Sequence, residues 1–249
     1  MGCTASSVKI DAIKRSEQID MDLKISYHES EKPIQILLLG TGESGKSTIV
    51  KQLRCMYGRG YNTGEAATFT PLIKSNIIDG MYTILENNEK LSILFANGTT
   101  EKDTNQMYRR STKMGQEGAL MDATLGLILE RLWKDAGIQE CFQRSREYQL
   151  RDNVGYFLDQ ILRISSINYA PTLEDILHSR TPTVGVSTTK IHYKDKLIHI
   201  YDVGGQRSER KKWLKFFFKE LHAVMFVASL TDYDKSSPEN SEKIDSLRH

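Results

Sequence analysis

The sequence has few cysteines, no secretory signal peptide and no long apolar run. Its three cysteines, Cys3, Cys55 and Cys141, are an odd number at irregular spacings, which favours reduced thiols in a cytosolic chain over a disulfide framework. A membrane-spanning helix needs roughly 20 consecutive apolar residues. The longest apolar runs, at 36–39 and 223–228, are only long enough for buried strands. These absences exclude a disulfide-rich secreted domain and a transmembrane protein.

The charge and composition give no sign of a nucleic-acid-binding surface. The 34 Lys and Arg residues nearly balance the 32 Asp and Glu residues, so no basic patch is indicated and nucleic acid is not an expected partner. Of the 249 residues, 39% are hydrophobic and 27% are charged, as in ordinary globular proteins. The length suits one large domain or two of ordinary size.

The first elements predicted are a helix, a strand and a second helix. Residues 7–25 have an apolar stripe with the period of a helix. This stripe is expected to pack against a partner protein, the membrane or the chain's own domain. The apolar segment at 34–39 indicates a fully buried strand. A glycine-rich turn then leads into a helix predicted from about 45 to 56.

Residues from about 65 to 178 have helical patterns and no convincing strand. A helix is predicted at 120–133, closed by Gly137, and the apolar spacing at 150–162 is typical of an amphipathic helix. A capping-box pattern at 172–175 predicts the start of a short helix. The sequence therefore predicts an all-helical domain inside the chain.

Strand patterns return near the carboxyl end of the sequence. Strands are predicted at 183–193 and 197–203, followed by a polar helix at about 206–217 and a buried strand at 223–230. A polar tail is predicted from 236 to the last residue. Strands on both sides of a helical segment indicate an α/β fold.

The clearest motif is GTGESGKS at 40–47, which fits the phosphate-binding pattern G-x-x-x-x-G-K-[ST]. It lies between a predicted buried strand and a predicted helix, the context that this loop requires. In such loops, backbone N–H groups surround phosphate oxygens at the positive end of a helix. Lys46 is expected to reach the β- and γ-phosphates, and the Ser47 hydroxyl is expected to bind Mg²⁺. The motif thus predicts a nucleotide site.

A second motif, D-x-x-G, consists of Asp202, Val203, Gly204 and Gly205 at the end of a predicted strand. Alone the match is weak, but after a phosphate-binding loop it predicts that Asp202 holds Mg²⁺ through water. The N–H of Gly205 is then expected to meet the γ-phosphate. Gln206 follows, where a GTPase needs a side chain that orients the attacking water.

Three longer stretches resemble a heterotrimeric G-protein α subunit: GTGESGKST at 40–48, RLWKDAGIQECFQRSREYQL at 131–150 and DVGGQRSERKKW at 202–213. With the N-terminal MGCT, they are most similar to the inhibitory class, and the resemblance extends from Met1 to about residue 234. It implies an α/β fold in which a P-loop GTPase domain, with a mostly parallel sheet that is incomplete here, carries an inserted all-helical domain. The implied bounds are 1–33 for an N-terminal helix that binds the membrane and a βγ dimer, 34–60 and 180–249 for the GTPase domain, and 61–179 for the helical domain.

The resemblance also implies the members of the site. Arg180, which local sequence alone would make an ordinary linker arginine, matches the arginine that stabilises the transition state in cis and is catalytic together with Gln206. Thr183 matches a switch threonine that binds Mg²⁺ with Ser47 and, through water, Asp202. Mg²⁺ is the implied cofactor and GTP or GDP the implied ligand. The implied nucleotide-binding residues are Glu43, Ser44, Gly45, Lys46, Ser47, Thr48, Asp152, Asn153, Leu177, His178, Ser179, Arg180, Asp202, Val203, Gly204, Gly205 and Gln206.

The sequence departs from this family in the switch segment and after residue 235. Pro182 stands where the family usually has lysine, and Val184 where it has threonine. Proline fixes φ and lacks an N–H, so the timing of switch closure is expected to differ. The guanine-reading N-K-x-D loop, the T-C-A-T loop and the receptor-binding C-terminal helix have no counterpart in 235–249. We therefore expect weak nucleotide binding with little preference for GTP over ATP, low stability, and an exposed sheet edge at 223–230.

The N-terminal sequence MGCTAS fits M-G-x-x-x-[ST], the pattern for myristoylation of Gly2. Cys3 is placed for palmitoylation, and a second acyl chain makes membrane anchoring stable. So short a motif also occurs in ordinary disordered chain starts. With the resemblance, it predicts attachment to the cytoplasmic face of the plasma membrane. A βγ dimer, a G-protein-coupled receptor, and effector enzymes or channels are the implied partners.

The function that these patterns favour is a GTP-hydrolysing switch between receptors and effectors. A second hypothesis is a non-catalytic fragment that binds βγ through the N-terminal helix and the surface at 203–220, without stable nucleotide. A generic P-loop ATPase or kinase is disfavoured by the DVGGQ sequence and the helical insertion. Nucleotide retention separates the first two hypotheses, and competition by ATP would reveal the third.

Overall fold

The computed structural model describes residue 19 and residues 32–98, 100–116, 121–216, 220–230, 236–237 and 240–244. Ile19 is helical and exposed. Gly2, Cys3 and the rest of the helix predicted at 7–25 lie outside the described residues.

A four-stranded, mostly parallel sheet forms the centre of the α/β part. Its strands are β1 (Ile34–Leu39), β2 (Val186–Tyr193), β3 (Lys196–Val203) and β4 (Ala223–Phe226), in the spatial order β2-β3-β1-β4. Strand β1 is parallel to both of its neighbours, whereas β2 and β3 form an antiparallel pair. The predicted turn after Tyr193 is present, with Lys194 in the left-handed region at φ 51°.

The pairing of β1 with β3 brings the two sequence motifs together. Leu38 on β1 lies opposite Asp202 on β3. Because the strands are parallel, both chains leave the sheet at the same edge. The phosphate-loop motif after β1 and the D-x-x-G motif at the end of β3 are therefore neighbours.

Helix α1 (Lys46–Tyr57) begins within the phosphate-loop motif, at Lys46, and packs on the sheet. Val50 is buried in one cluster with Leu38, Ile191 and Ile200. The helix is thus held against β1, β2 and β3 by apolar contacts one turn beyond Lys46.

Between α1 and β2, the regular elements of the described residues are all helical. They are α2 (Thr63–Ala67), α3 (Thr70–Lys90), α4 (Thr100–Gln116), α5 (Ala123–Trp133), α6 (Ala136–Gln143), a 3₁₀ turn (Ser145–Glu147), α7 (Val154–Asp159), α8 (Ile161–Ile164) and α9 (Leu173–His178). Their apolar faces share one hydrophobic cluster, with Ile77, Leu129 and Phe157 among its fully buried members. This cluster is separate from the two clusters that flank the sheet.

Side chains cap the first turns of several helices in this region. Asp122 accepts a hydrogen bond from the N–H of Leu125 at 2.8 Å. The predicted capping box is confirmed: Thr172 accepts from the N–H of Asp175, and Asp175 accepts from the N–H of Thr172. Each contact satisfies a backbone donor that the first turn leaves without a partner.

Two predicted features of the helices are wrong: the role of Gly137 and the continuity of the helix at 150–162. Gly137 does not close α5, which ends at Trp133; it lies in the first turn of α6, where its N–H donates to Asp135 Oδ1 at 2.8 Å. Asp135 therefore starts a new helix at the place where glycine suggested an end. The single helix predicted at 150–162 is divided into α7 and α8 at Gln160, whose φ of −102° and ψ of 13° depart from helical values.

The elements after β3 are shorter than predicted. The helix predicted at 206–217 consists of α10 (Arg207–Arg210) and a 3₁₀ helix (Lys211–Phe216). Within the predicted polar tail, β5 (Ser236–Ser237) and β6 (Asn240–Ile244) form a small antiparallel pair.

The prediction that β4 is a buried strand is wrong, whereas the expected sheet edge is present. All four residues of β4 are exposed, including Val224 at 56% and Phe226 at 66%. Side chains on both faces of the strand are therefore uncovered, and among the described residues no strand pairs with its outer side. An apolar edge of this kind favours association with other chains.

None of the helices in the described ranges combines the length and the apolar character that crossing a bilayer requires.

The close contact between α5 and the end of α8 predicts that a methyl group added at Gly126 lowers the stability of the fold. A Cβ at Gly126 would lie 2.0 Å from Ser165 Oγ and 2.3 Å from Ser165 Cβ, so Gly126→Ala must separate the two helices. We expect a loss of about 1–3 kcal/mol in the free energy of unfolding, measured by urea denaturation. Gly64→Ala in α2, where the nearest atom would be at 3.4 Å, is the control. Equal stability of the two variants would contradict this packing.

Candidate functional site

The phosphate-loop motif forms a tight turn between β1 and α1. Glu43 and Gly45 both have left-handed backbone angles, with φ of 62° and 97°. Helix α1 starts after Gly45 without a hydrogen bond from a capping side chain and without an acidic residue in its first turn. The N–H groups at this helix end therefore lack a capping partner and favour an anion.

The Lys46 side chain turns back onto this loop. Only 4% of the residue is exposed, and its Nζ donates to the carbonyl oxygens of Gly40 at 3.0 Å and Thr41 at 2.5 Å. Burial lowers the pKa of Lys46, the negative charge of Asp202 raises it, and the charge of Arg210 lowers it. An anion bound in the loop would stabilise the charged ammonium group that burial destabilises.

Ser47, Thr183 and Asp202 meet at the end of the loop, although they are far apart in the sequence. Ser47 Oγ lies 2.8 Å from Thr183 Oγ1 and donates to Asp202 Oδ2 at 2.5 Å. Asp202 is 3% exposed, and burial raises its pKa, while the Ser47 hydrogen bond and the Lys46 charge lower it. The structure thus brings together all three predicted magnesium ligands.

This set of oxygen atoms fits Mg²⁺. The other carboxylate oxygen, Asp202 Oδ1, is buried and has no hydrogen-bond partner among the described residues. A buried oxygen without a partner is costly, and a divalent cation or one of its bound waters would provide one. Two hydroxyls and one carboxylate are the hard oxygen ligands that Mg²⁺ prefers.

The Arg180 side chain extends from the segment after α9 toward the start of α1. Its Nη1 donates to Thr48 Oγ1 at 3.1 Å, and its Nη2 lies 3.1 Å from Asp152 Oδ2. The guanidinium group is therefore held between the phosphate loop and the helical region. It is a positive charge beside the place where the loop would bind phosphates.

Gln206 and Gly205 approach the loop from the end of β3. A Cβ on Gly42 would lie 3.4 Å from Gln206 Cγ, so the glutamine side chain lies beside the loop. A Cβ on Gly205 would lie within about 2.5 Å of Lys46 Nζ and of the Thr41 carbonyl oxygen. Only glycine permits this close approach of the two backbones.

A cavity of about 420 Å³ connects these groups. Of the predicted residues, those that line it are Glu43, Ser44, Gly45, Lys46, Ser47, Thr48, Ser179, Arg180, Thr183, Asp202, Gly205 and Gln206. The predicted residues that do not line it are Asp152, Asn153, Leu177, His178, Val203 and Gly204. Asp152 instead pairs with Arg180, and Asn153 is 1% exposed and donates to the carbonyl of His178 at 2.9 Å.

Lys51 is a lining residue that the sequence analysis missed. Its Nζ donates to the carbonyls of Ile176 at 2.8 Å and Ser179 at 2.7 Å, so it joins α1 to the end of α9. Burial, and next the charge of Arg180, lower the pKa of Lys51 to about 8. The signal in the sequence was its position four residues after Ser47, which places both on one face of α1.

Other missed lining residues include Tyr61 and Arg151. Arg151 Nε lies 4.0 Å from Glu43 Oε1, and its Nη1 lies 3.9 Å from Asp79 Oδ2. Both residues come from the helical region or its first connection. No motif marks them, because their place in the cavity wall depends on how that region packs.

Comparison with known protein families gives a match that covers nearly all of the chain. A family described as G-protein alpha subunit matches residues 13–248. The match includes both sequence motifs, the helical region and Arg180.

Proposed function

This chain belongs to the G-protein α-subunit family, and from that premise we propose that it binds GTP with Mg²⁺ and hydrolyses it to GDP at the cavity between the phosphate loop and β3. The family consists of GTP-binding signalling proteins whose members are GTPases. The proposal assigns that activity to particular residues of this chain.

The observation that carries the proposal is the meeting of Ser47, Thr183 and Asp202 beside Lys46. The Ser47 hydroxyl lies within hydrogen-bond distance of both the Thr183 hydroxyl and the Asp202 carboxylate, next to a buried ammonium group. A cation site adjoining an anion site is what a magnesium-bound nucleotide requires. A plain turn or a purely structural polar cluster requires neither a cation site nor an anion site.

Each residue then has a defined task. The loop N–H groups and Lys46 bind the phosphates, and Ser47, Thr183 and Asp202 hold Mg²⁺, which offsets phosphate charge when it is bound. The Gln206 amide orients the attacking water. The Arg180 guanidinium opposes the charge that grows on the γ-phosphate oxygens in the transition state.

The helical region would act as an inserted domain that covers the nucleotide. We assign it to 61–179, with the GTPase domain at 34–60 and 180–249 and an N-terminal βγ- and membrane-binding helix at 1–33. Arg151 and Ser179 line the cavity from the helical side, which supports this role. Its separate hydrophobic cluster supports independent packing.

The class of α subunit, its location and its partners are proposed from the sequence resemblance. We propose an inhibitory-class α subunit on the cytoplasmic face of the plasma membrane. Its partners would be a βγ dimer, a G-protein-coupled receptor, and effector enzymes or channels. The MGCT start and the RLWKDAGIQECFQRSREYQL stretch support the class.

One observation favours the alternative of a βγ-binding protein without stable nucleotide. Among the described residues, none after Gln206 lines the cavity, so the lining groups are mainly those of the phosphate, metal and switch positions. A site without polar groups for the base discriminates poorly between nucleotides. Retention of nucleotide by the purified chain decides between the two functions.

We expect Gln206→Leu and Arg180→Cys each to slow GTP hydrolysis strongly while nucleotide binding stays largely intact. Both side chains are assigned to the transition state, whereas the loop, Lys46 and the metal ligands bind the ground state. For Arg180→Cys, we expect the hydrolysis rate to fall by about 10³–10⁵-fold, the contribution already known for such arginines in this family and others. Single-turnover hydrolysis and binding of a non-hydrolysable analogue measure the two effects separately.

Gln52→Leu and Arg59→Cys provide matched controls, because both residues are exposed and neither lines the cavity. The control variants should hydrolyse GTP at the wild-type rate. If the Gln206 and Arg180 variants also do so, neither residue is catalytic.

We further expect Gly2→Ala to release the protein from membranes and Cys3→Ser to weaken its retention. Myristoylation needs the amine of Gly2, and one acyl chain alone binds membranes only marginally. Membrane fractionation of cells that express each variant measures the effect, with Ser7→Ala, outside the motif, as the control. A Gly2→Ala protein that remained wholly membrane-bound would rule out the anchor.

A further inference from the structure

Asn76 and the backbone of Arg180 form a two-point contact. Asn76 is on α3 and is 2% exposed. Its Nδ2 donates to the Arg180 carbonyl at 2.9 Å, and its Oδ1 accepts from the Arg180 N–H at 2.8 Å. Because the donor faces a carbonyl and the acceptor faces an N–H, the amide orientation is defined by its partners.

A second buried amide supports the first. Asn153 Nδ2 donates to Asn76 Oδ1 at 3.1 Å and to the His178 carbonyl at 2.9 Å. Asn153 precedes α7 and is 1% exposed. Two amides, one on α3 and one directly before α7, therefore hold the backbone from His178 to Arg180.

These contacts act on the backbone of Arg180 and leave its charged group free to face the cavity. The guanidinium touches Thr48 and Asp152, and Asn76 does not line the cavity. A hydrogen bond on each side of the Cα restricts both the position and the direction of the side chain. Inside the protein, such bonds have little competition from water.

We propose that Asn76 is a positioning residue for the catalytic arginine, and that it acts on GTP hydrolysis only through Arg180. The catalytic part of this proposal rests on the function proposed above. A charge that stabilises a transition state must be held close to its productive position, since a shift of about 1 Å can cost about 100-fold in rate. Asn76 supplies that restraint from a helix that does not line the cavity.

Asn88 provides a matched control on the same helix. It is also 2% exposed, and its Nδ2 donates to the Gly137 carbonyl at 3.3 Å. It lies about 18 Å farther along the helix axis. Replacing either residue by alanine removes one buried amide, but only Asn76→Ala releases Arg180.

The first measurement is single-turnover GTP hydrolysis by the full chain carrying Asn76→Ala, Asn88→Ala, Arg180→Cys, and Asn76→Ala combined with Arg180→Cys. We expect Asn76→Ala to slow hydrolysis about 10- to 100-fold, with affinity for a non-hydrolysable analogue nearly unchanged. The double variant should be no slower than Arg180→Cys alone, because two residues that act as a unit are not additive. Additive losses, or an equal loss in Asn88→Ala, would overturn the proposal.

The second measurement needs no nucleotide. Hydrogen exchange of the amides at 178–180 should be faster in Asn76→Ala than in the wild type, and unchanged in Asn88→Ala. Unchanged protection of Arg180 in Asn76→Ala would overturn the proposal by itself. If the wild-type chain does not hydrolyse GTP, the proposed function and the catalytic part fail together, while exchange still decides whether Asn76 holds Arg180.

A melting curve identifies a variant that does not fold. In that case Asn153→Ala replaces Asn76→Ala, since it removes the second amide and leaves the direct contact in place. Its expected effects on exchange and hydrolysis have the same direction and are smaller. No change in either quantity would count against the proposal.

Discussion

The parallel pairing of β1 with β3 is the constraint on which the rest of the site depends. It places Leu38 opposite Asp202, so the phosphate loop and the acidic motif leave the sheet at one edge. Apolar contacts of Val50 with Leu38 and Ile200 then hold α1 against the same strands. With loop, helix and strand fixed in this way, the Ser47 hydroxyl donates to Asp202, and Lys46 lies close enough to interact with the Asp202 charge.

Arg180 lies in the segment that follows the helical region, and polar contacts attach the end of that region to α1. Lys51 on α1 donates to carbonyls at the end of α9. Within that region, the fully buried Asp175 accepts from both Arg163 nitrogens and from the hydroxyls of Tyr156 and Tyr169. Burial raises the pKa of Asp175, but these hydrogen bonds more than offset it and hold the pKa below its usual value. Helix α9, which leads into the segment with Arg180, is thereby held both by α1 and by α7 and α8.

Features that depend on consecutive residues could be predicted from the sequence. The phosphate loop, the D-x-x-G motif, the Thr172 capping box and the β2–β3 turn are local, since a few neighbouring residues determine their backbone geometry. The failures were of two kinds. At Gly137 a side-chain cap on Asp135 outweighed the usual meaning of glycine, and at β4 an apolar run was taken for a buried strand when it lies at an edge.

Contacts to backbone carbonyls were beyond sequence reasoning. Lys51, Asn76 and Asn153 all act on main-chain groups more than 20 residues away, and any residue type offers such groups. No sequence pattern therefore identifies the main-chain group that each of these side chains contacts. Thr183 could be predicted as a metal ligand only through family resemblance, because its contact with Ser47 spans 136 positions.

The central claim is that Ser47, Thr183 and Asp202 form a magnesium site that serves a nucleotide bound at Lys46. The most direct test is the affinity of the chain for a fluorescent, non-hydrolysable GTP analogue, titrated with Mg²⁺ and again with a chelator, for the wild type and Ser47→Ala. We predict that removing Mg²⁺ weakens binding to the wild type by about ten-fold or more, and that Ser47→Ala loses most of this dependence. Equal affinity of the wild type with and without Mg²⁺ would contradict the account.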